Sequence, residues 1–178
     1  MKNVIIISSS LRAGSNSRIL ADRFAAGAAD AGNNVKIIDL KKLKPEFCIG
    51  CLACQKTGKC VLNDGINDIL QEISSADVLC FATPVYYYSV CGQLKTFLDR
   101  LNPLFGKDNK FKDVYLLATA ADEEKSAVDT TIACIQGWID CFEGVSLSGV
   151  IYGVGADEAG AVLSTPAPDK AYAAGKSV

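Results

Sequence analysis

The chain contains no histidine. That absence removes Ser–His and Cys–His nucleophile pairs and every His-ligated metal site from consideration. It also lacks a strong charge of either sign: with a net charge of -2 over 178 residues, no broad field draws nucleic acid or an anionic membrane. There is no long apolar run. The N-terminal stretch Val4–Ile7 breaks into serines at Ser8, too short for a signal core or a membrane-spanning helix, so a cytoplasmic protein without a membrane partner is expected. No internal repeat, low-complexity tract or linker divides the sequence, which implies one domain over residues 1–178.

What is present alternates regularly. Short runs rich in β-branched residues, Val4–Ile7, Val35–Ile38, Val78–Ala82, Val114–Ala118 and Val145–Val150, read as buried strands. Helical patterns lie between them. Residues 17–31 end at Gly32, and Asp64 is placed to cap a helix striped by Ile66, Ile69, Leu70 and Ile73. Leu94, Phe97, Leu98 and Leu101 stripe a third helix, and Val128, Ile132, Ile135, Ile139 and Phe142 a fourth. A short last helix follows Pro166 and Pro168. Five strands joined by helices imply an α/β, doubly wound parallel sheet with helices on both faces, its ligand crevice outside the carboxyl ends of the strands.

The first such end carries Ser8-Ser9-Ser10-Leu11-Arg12-Ala13-Gly14 and then Ser15-Asn16-Ser17 opening a helix. A helix N-terminus exposes unpaired N–H groups and the positive end of its dipole, Ser hydroxyls add neutral donors, and Arg12 adds a guanidinium. The loop lacks both the Gly-Lys-Ser/Thr of a triphosphate loop and the Gly-x-Gly-x-x-Gly of a dinucleotide site, so a terminal monophosphate suits it best.

The stretch Ile7–Leu20 resembles the FMN phosphate loop of flavodoxin-like NAD(P)H-dependent FMN reductases. The segment Ala82-Thr83-Pro84-Val85-Tyr86 with Ser89, Gly92-Gln93-Leu94-Lys95 and Asp99-Arg100 is similar to that family's second signature. The resemblance implies a flavodoxin-like five-stranded sheet of order 2-1-3-4-5, FMN as cofactor, and NAD(P)H as co-substrate with a small-molecule electron acceptor. It assigns the phosphate to Ser8, Ser10, Leu11, Arg12, Ser15, Asn16 and Ser17. The isoalloxazine ring falls to Thr83, Pro84, Val85, Tyr86, Tyr87 and Ser89, with Thr119 and Ala120 beyond the fourth strand. It also implies a homodimer or homotetramer. The bound flavin carries the redox chemistry, so no catalytic side chain is expected.

The long connection at 44–63 holds Cys48-x-x-Cys51-x-x-Cys54 and, five residues on, Cys60, half of the chain's eight cysteines. Three readings stand open: a [4Fe–4S] cluster, whose irons take one thiolate each; zinc, which ordinarily uses two separated pairs; and free or redox-exchanging thiols. The spacing resembles that of iron–sulfur flavoproteins, which implies an alternative function: relay of electrons between a protein donor such as ferredoxin, a cluster and FMN. Cys80, Cys134 and Cys141 read as structural; Cys91 starts a helix near the proposed flavin loop. Asp122-Glu123-Glu124 reads as a helix-capping run. Lys41, Lys42 and Lys44 read as a solvated face, with an NADPH phosphate as the functional alternative.

Overall fold

The computed structural model describes residues 1–178. Six strands form: β1 (Asn3–Ser8), β2 (Asn34–Asp39), β3 (Val78–Tyr86), β4 (Ser89–Val90), β5 (Asp113–Thr119) and β6 (Ser146–Gly153). Five of them make a parallel sheet in the order β2-β1-β3-β5-β6, the doubly wound order that the family resemblance implies. The additional strand is β4, which pairs antiparallel with the far end of β3 through Val85↔Val90 and Tyr86↔Ser89.

β1 shows why both faces must be covered. Ile5 and Ile7 point to one core, Val4 and Ile6 to the other, and all are buried. On the first face lie α4 (Ile66–Ser75), α5 (Gly92–Arg100) and α6 (Asp129–Ile139), contributing Ile66, Ile73, Leu94, Phe97, Ile135 and Ile139. On the second lie α1 (Asn16–Asp30) and α7 (Ala167–Lys176), contributing Leu20, Phe24, Ala167 and Ala171. Cys80 is wholly enclosed in the second core, where burial pushes its thiol well up, as a structural cysteine requires. Among the helices, none is long and apolar enough to cross a membrane.

The α1–α7 pair is set by two glycines. A Cβ added at Gly27 would lie 2.0 Å from the Tyr172 carbonyl oxygen, and one at Gly175 would lie 2.1 Å from that of Phe24. The two backbones touch. Gly27→Ala is therefore expected to force the helices apart and to destabilise the fold by about 1–3 kcal/mol, read as a lowered Tm against wild type.

Several boundaries move from their expected places. The third strand runs on through Thr83, Pro84, Val85 and Tyr86 instead of opening into a loop at Ala82. Its pairing with β1 ends at Ser8↔Ala82 and its pairing with β4 starts at Val85, so Pro84 falls between the two ladders, where a missing N–H is tolerated. The connection at 44–63 is not wholly irregular: α3 (Ala53–Thr57) forms within it, entered at Leu52 and ended at Gly58, both with left-handed φ. A short α2 (Leu40–Leu43) precedes it. Asp64 stands one residue before the N-cap of α4, which is Gly65; its carboxylate accepts the Ile66 N–H at 3.4 Å but is mainly committed elsewhere, as described below.

Candidate functional site

The carboxyl ends of β1, β3 and β5 open on one cleft of about 230 Å³, lined by Ser10, Arg12, Ser15, Asn16, Ser17, Pro84, Val85, Tyr86, Thr119, Ala121, Ala156 and Asp157. Segments far apart in sequence meet here because each follows a strand of one sheet.

The loop after β1 is braced internally. Ser9 Oγ donates to the Ala82 carbonyl at 2.8 Å, tying the loop to β3. Ser10 Oγ accepts the Arg12 N–H at 3.3 Å, and Gly14 turns the chain at φ +63°. Ser15 is the N-cap of α1, its hydroxyl accepting the Arg18 N–H at 3.2 Å. The backbone N–H groups of Asn16 and Ser17 consequently have no acceptor within the helix. Ser17 Oγ is buried and has no hydrogen-bond partner, although the residue lines the cleft. A buried, unpaired hydroxyl beside free helix N–H groups is a donor set in want of an acceptor, and a phosphate oxygen fits it.

Two predicted phosphate residues do other work as well. Asn16 spends its amide on the loop after β6: Nδ2 donates to the carbonyls of Ala156 at 2.9 Å and Glu158 at 2.8 Å, and Oδ1 accepts the Val162 N–H at 3.2 Å. It struts the rim. Arg12 lies over the same loop, donating to the Asp157 carbonyl at 2.7 Å and reaching Glu158 at 3.3 Å.

Not every expected residue reaches the cleft. Ser8 is buried at the end of β1, and Leu11 lines a separate shallow hollow with Phe47 and Gln93. Thr83 turns inward, its hydroxyl donating to the Pro84 carbonyl at 2.8 Å and accepting the Cys91 N–H at 3.3 Å. Ala120 is buried and exchanges backbone hydrogen bonds with Gly153 and Ala156, so its neighbour Ala121 lines the cleft instead. Tyr87 and Ser89 sit on the β3–β4 hairpin beyond the lining residues. Tyr87 and Tyr88 form the tip of that hairpin with φ of 48° and 62°, and Tyr87 is fully exposed. Positive φ at both central positions makes this a type I′ turn, which ordinarily takes Asn-Gly. Ala156 and Asp157 were missed in the sequence reading; the signal that could have found them is their position after the last strand.

A second cleft, of about 390 Å³, lies at the other end of α5. Cys48, Cys51, Cys54 and Cys60 all line it, together with Ile49, Leu52, Val61, Trp138 and Cys141. All eight thiols of the chain are free. No three Cys, Asp or Glu side chains converge closely enough to hold a single metal ion. Cys141, expected to be structural, is exposed, because it falls beyond the last turn of α6 rather than on its packed stripe.

The loop is fastened by a buried ion pair. Arg100 donates to Asp64 through two nitrogens, at 2.6 and 2.9 Å, with its side chain fully enclosed. Arg100 also donates to the Glu46 carbonyl at 2.7 Å, and Asp64 accepts the Glu46 N–H at 2.8 Å. Burial opposes ionisation of both partners, but the hydrogen bonds and mutual attraction overcome it: the Asp64 carboxyl lies below its ordinary value and the Arg100 guanidinium above its own.

The chain matches the family model of NADPH-dependent FMN reductases over residues 2–141. It is 38% identical over 103 residues to an iron–sulfur flavoprotein of Methanocaldococcus jannaschii, the match covering 57% of this chain and 52% of that one. It is 33% identical over 103 residues to an iron–sulfur flavoprotein of Archaeoglobus fulgidus, covering 58% and 46%. The matches thus span about half the length of these curated relatives. Among solved structures, an NAD(P)H:quinone oxidoreductase from Methanothermobacter marburgensis superposes with a TM-score of 0.75 at 20% identity, covering 98% of each chain, a likeness of fold. With the sheet order, the loop after β1 and the match over residues 2–141 in agreement, this chain belongs to the NADPH-dependent FMN reductase family.

Proposed function

We propose that the protein is an FMN-dependent oxidoreductase that takes hydride from NAD(P)H and passes electrons to a small flat acceptor, a flavin or a quinone. The observation that carries this reading is the unpaired, buried Ser17 hydroxyl beside the open first turn of α1. Ser10, Ser15, Ser17 and the first N–H groups of α1 would hold the phosphate, with the Arg12 guanidinium at the rim. The extended backbone of Pro84, Val85 and Tyr86 would lie along the ring, with Thr119 at the end of β5 and Ala121 just beyond it on the facing wall. When bound, FMN supplies the hydride-accepting chemistry. The chain's part is to orient the ring and to leave one face of it open to nicotinamide and acceptor in turn. The exposed Tyr86, Tyr87 and Tyr88 beside the cleft suit burial against a second copy, as a homodimer or homotetramer would provide. Eight free thiols suit a reducing, cytoplasmic setting.

Protein purified without air is expected to bind FMN and to have it bleached by NADPH or NADH. A protein that takes up no FMN when supplied in excess overturns this reading.

A second reading is supported by the cysteine cleft. Four thiols line one cleft whose other walls are largely apolar, the donor set a [4Fe–4S] cluster takes. Cys91 begins α5 with its sulfur 3.3 Å from Ser9 Oγ at the flavin loop, and Arg100 ends α5 at the cysteine loop. A nine-residue helix spans roughly 14 Å, so one rigid element separates the two sites. In this reading Cys48, Cys51, Cys54 and Cys60 would hold the cluster, which would supply one-electron transfer between FMN and a donor such as ferredoxin. Iron and sulfide analysis of the same anaerobic preparation tests it, and absence of both overturns it.

A further inference from the structure

The cysteine cleft is shaped by polar side chains that neither reading has used. Asn67 brackets Cys60, accepting its N–H at 2.8 Å and donating to its carbonyl at 2.9 Å. Asn102 follows α5 directly and aims Nδ2 at the sulfur of Cys54, 3.1 Å away. Cys54 is the one buried member of the four, and Asn102 is half-buried on the wall of the same cleft. The contact is shorter than those the Cys91 sulfur makes with Ser9, at 3.3 and 3.8 Å, or the Cys141 sulfur with Gly137, at 3.4 Å. A neutral thiol is a weak acceptor, whereas an anionic or metal-bound sulfur accepts strongly. The enclosed Arg100, its charge paired with Asp64, also lies near Cys60 and keeps its Nε buried and unpartnered.

We propose that Asn102 is a positioning residue for the Cys54 sulfur: it orients that sulfur into the cleft and, with a [4Fe–4S] cluster bound, donates a hydrogen bond to it that raises the cluster's reduction potential. Reduction adds negative charge that spreads onto the ligand sulfurs, so a donor at one of them stabilises the reduced form. The redox half of this inference rests on the cluster reading; the orienting half does not.

The two halves separate experimentally. Wild type, Asn102→Val and the isosteric Asn102→Asp, which lacks the donor, are reconstituted without air using iron and sulfide and titrated potentiometrically. The redox equilibrium is expected to shift about tenfold toward the oxidised cluster in Asn102→Val, ~59 mV for one electron, and further in Asn102→Asp. Iron and sulfide bound equally with an unchanged potential overturns the redox half. Loss of the cluster from both variants with unchanged circular dichroism supports positioning. In the metal-free, reduced proteins, maleimide labelling at fixed pH is mapped by peptide mass spectrometry with Cys48 as internal reference. Cys54 is expected to label several-fold more slowly in both variants, because loss of the donor disfavours the thiolate that reacts, and an unchanged ratio overturns the orienting half. Wild type that takes up neither iron nor sulfide removes the cluster reading, and the labelling ratio then decides Asn102 alone.

Discussion

Ser17→Asp is expected to abolish FMN binding while leaving the fold intact. Ser17 is the second residue of α1, where a carboxylate interacts favourably with the helix dipole and can accept the free N–H groups of the first turn. The substitution therefore fills, from within the chain, the place proposed for the phosphate. At an effective dielectric of about 20, two unit charges about 4 Å apart repel by about 4 kcal/mol, which corresponds to roughly a thousandfold weaker Kd. Ser17→Ala removes one hydrogen bond to a charged acceptor, about 1.5–3 kcal/mol, and is expected to weaken binding roughly ten- to a hundredfold. Fluorescence titration of the apoprotein measures both. Riboflavin, which has no phosphate, should bind wild type and Ser17→Asp alike, and the melting temperature without flavin should not fall. If Ser17→Asp binds FMN as tightly as wild type, the phosphate belongs elsewhere.

How much of this could be read from the sequence depends on whether each signal is local. The strands and their parallel pairing were legible because a buried strand leaves a run of β-branched residues and a parallel pair requires a helix between, whereas the order of the sheet followed from the family resemblance. The loop after β1 was legible because capping residues, a glycine and a strand end coincide within ten positions. Contacts that span the chain left no such trace. Asn16 reads as a capping residue, yet its amide is occupied by Ala156, Glu158 and Val162. Asp64 reads as a helix cap, and nothing near it announces that Arg100 is its partner. The Tyr87-Tyr88 turn was invisible for the opposite reason. Its left-handed backbone ordinarily selects Asn or Gly, and tyrosine there costs about 1–3 kcal/mol per residue. Such strain is retained where the aromatic groups are wanted, here beside the cleft.

Asp64→Ala is expected to cost about 3–5 kcal/mol of stability, because it leaves the Arg100 guanidinium enclosed without a counter-charge. The loss should be visible as a lowered denaturant midpoint, and locally as faster hydrogen exchange over residues 44–63. Glu46, just before Cys48, is held at both its N–H and its carbonyl by this pair, so release of the pair frees the entry to the cysteine loop. Removing both charges with Asp64→Leu and Arg100→Met should recover much of the stability, since a buried pair is replaceable by apolar side chains of similar size. The double variant would still lack the Glu46 clamp, so fast exchange at the loop should persist while global stability returns. That separation would show the pair acting on the loop rather than only on the core. Acid gives an independent reading. The folded Asp64 carboxyl lies below its ordinary value of 3.8, so its contribution is present above that pH and is lost as pH falls through the lower, folded value. Asp64→Ala should therefore lose stability less steeply than wild type below about pH 4. Equal slopes in that range would mean that the carboxylate is not held by Arg100 in solution, and the cysteine loop would be fastened instead by Asn67 on α4 and by Asn102 just beyond α5.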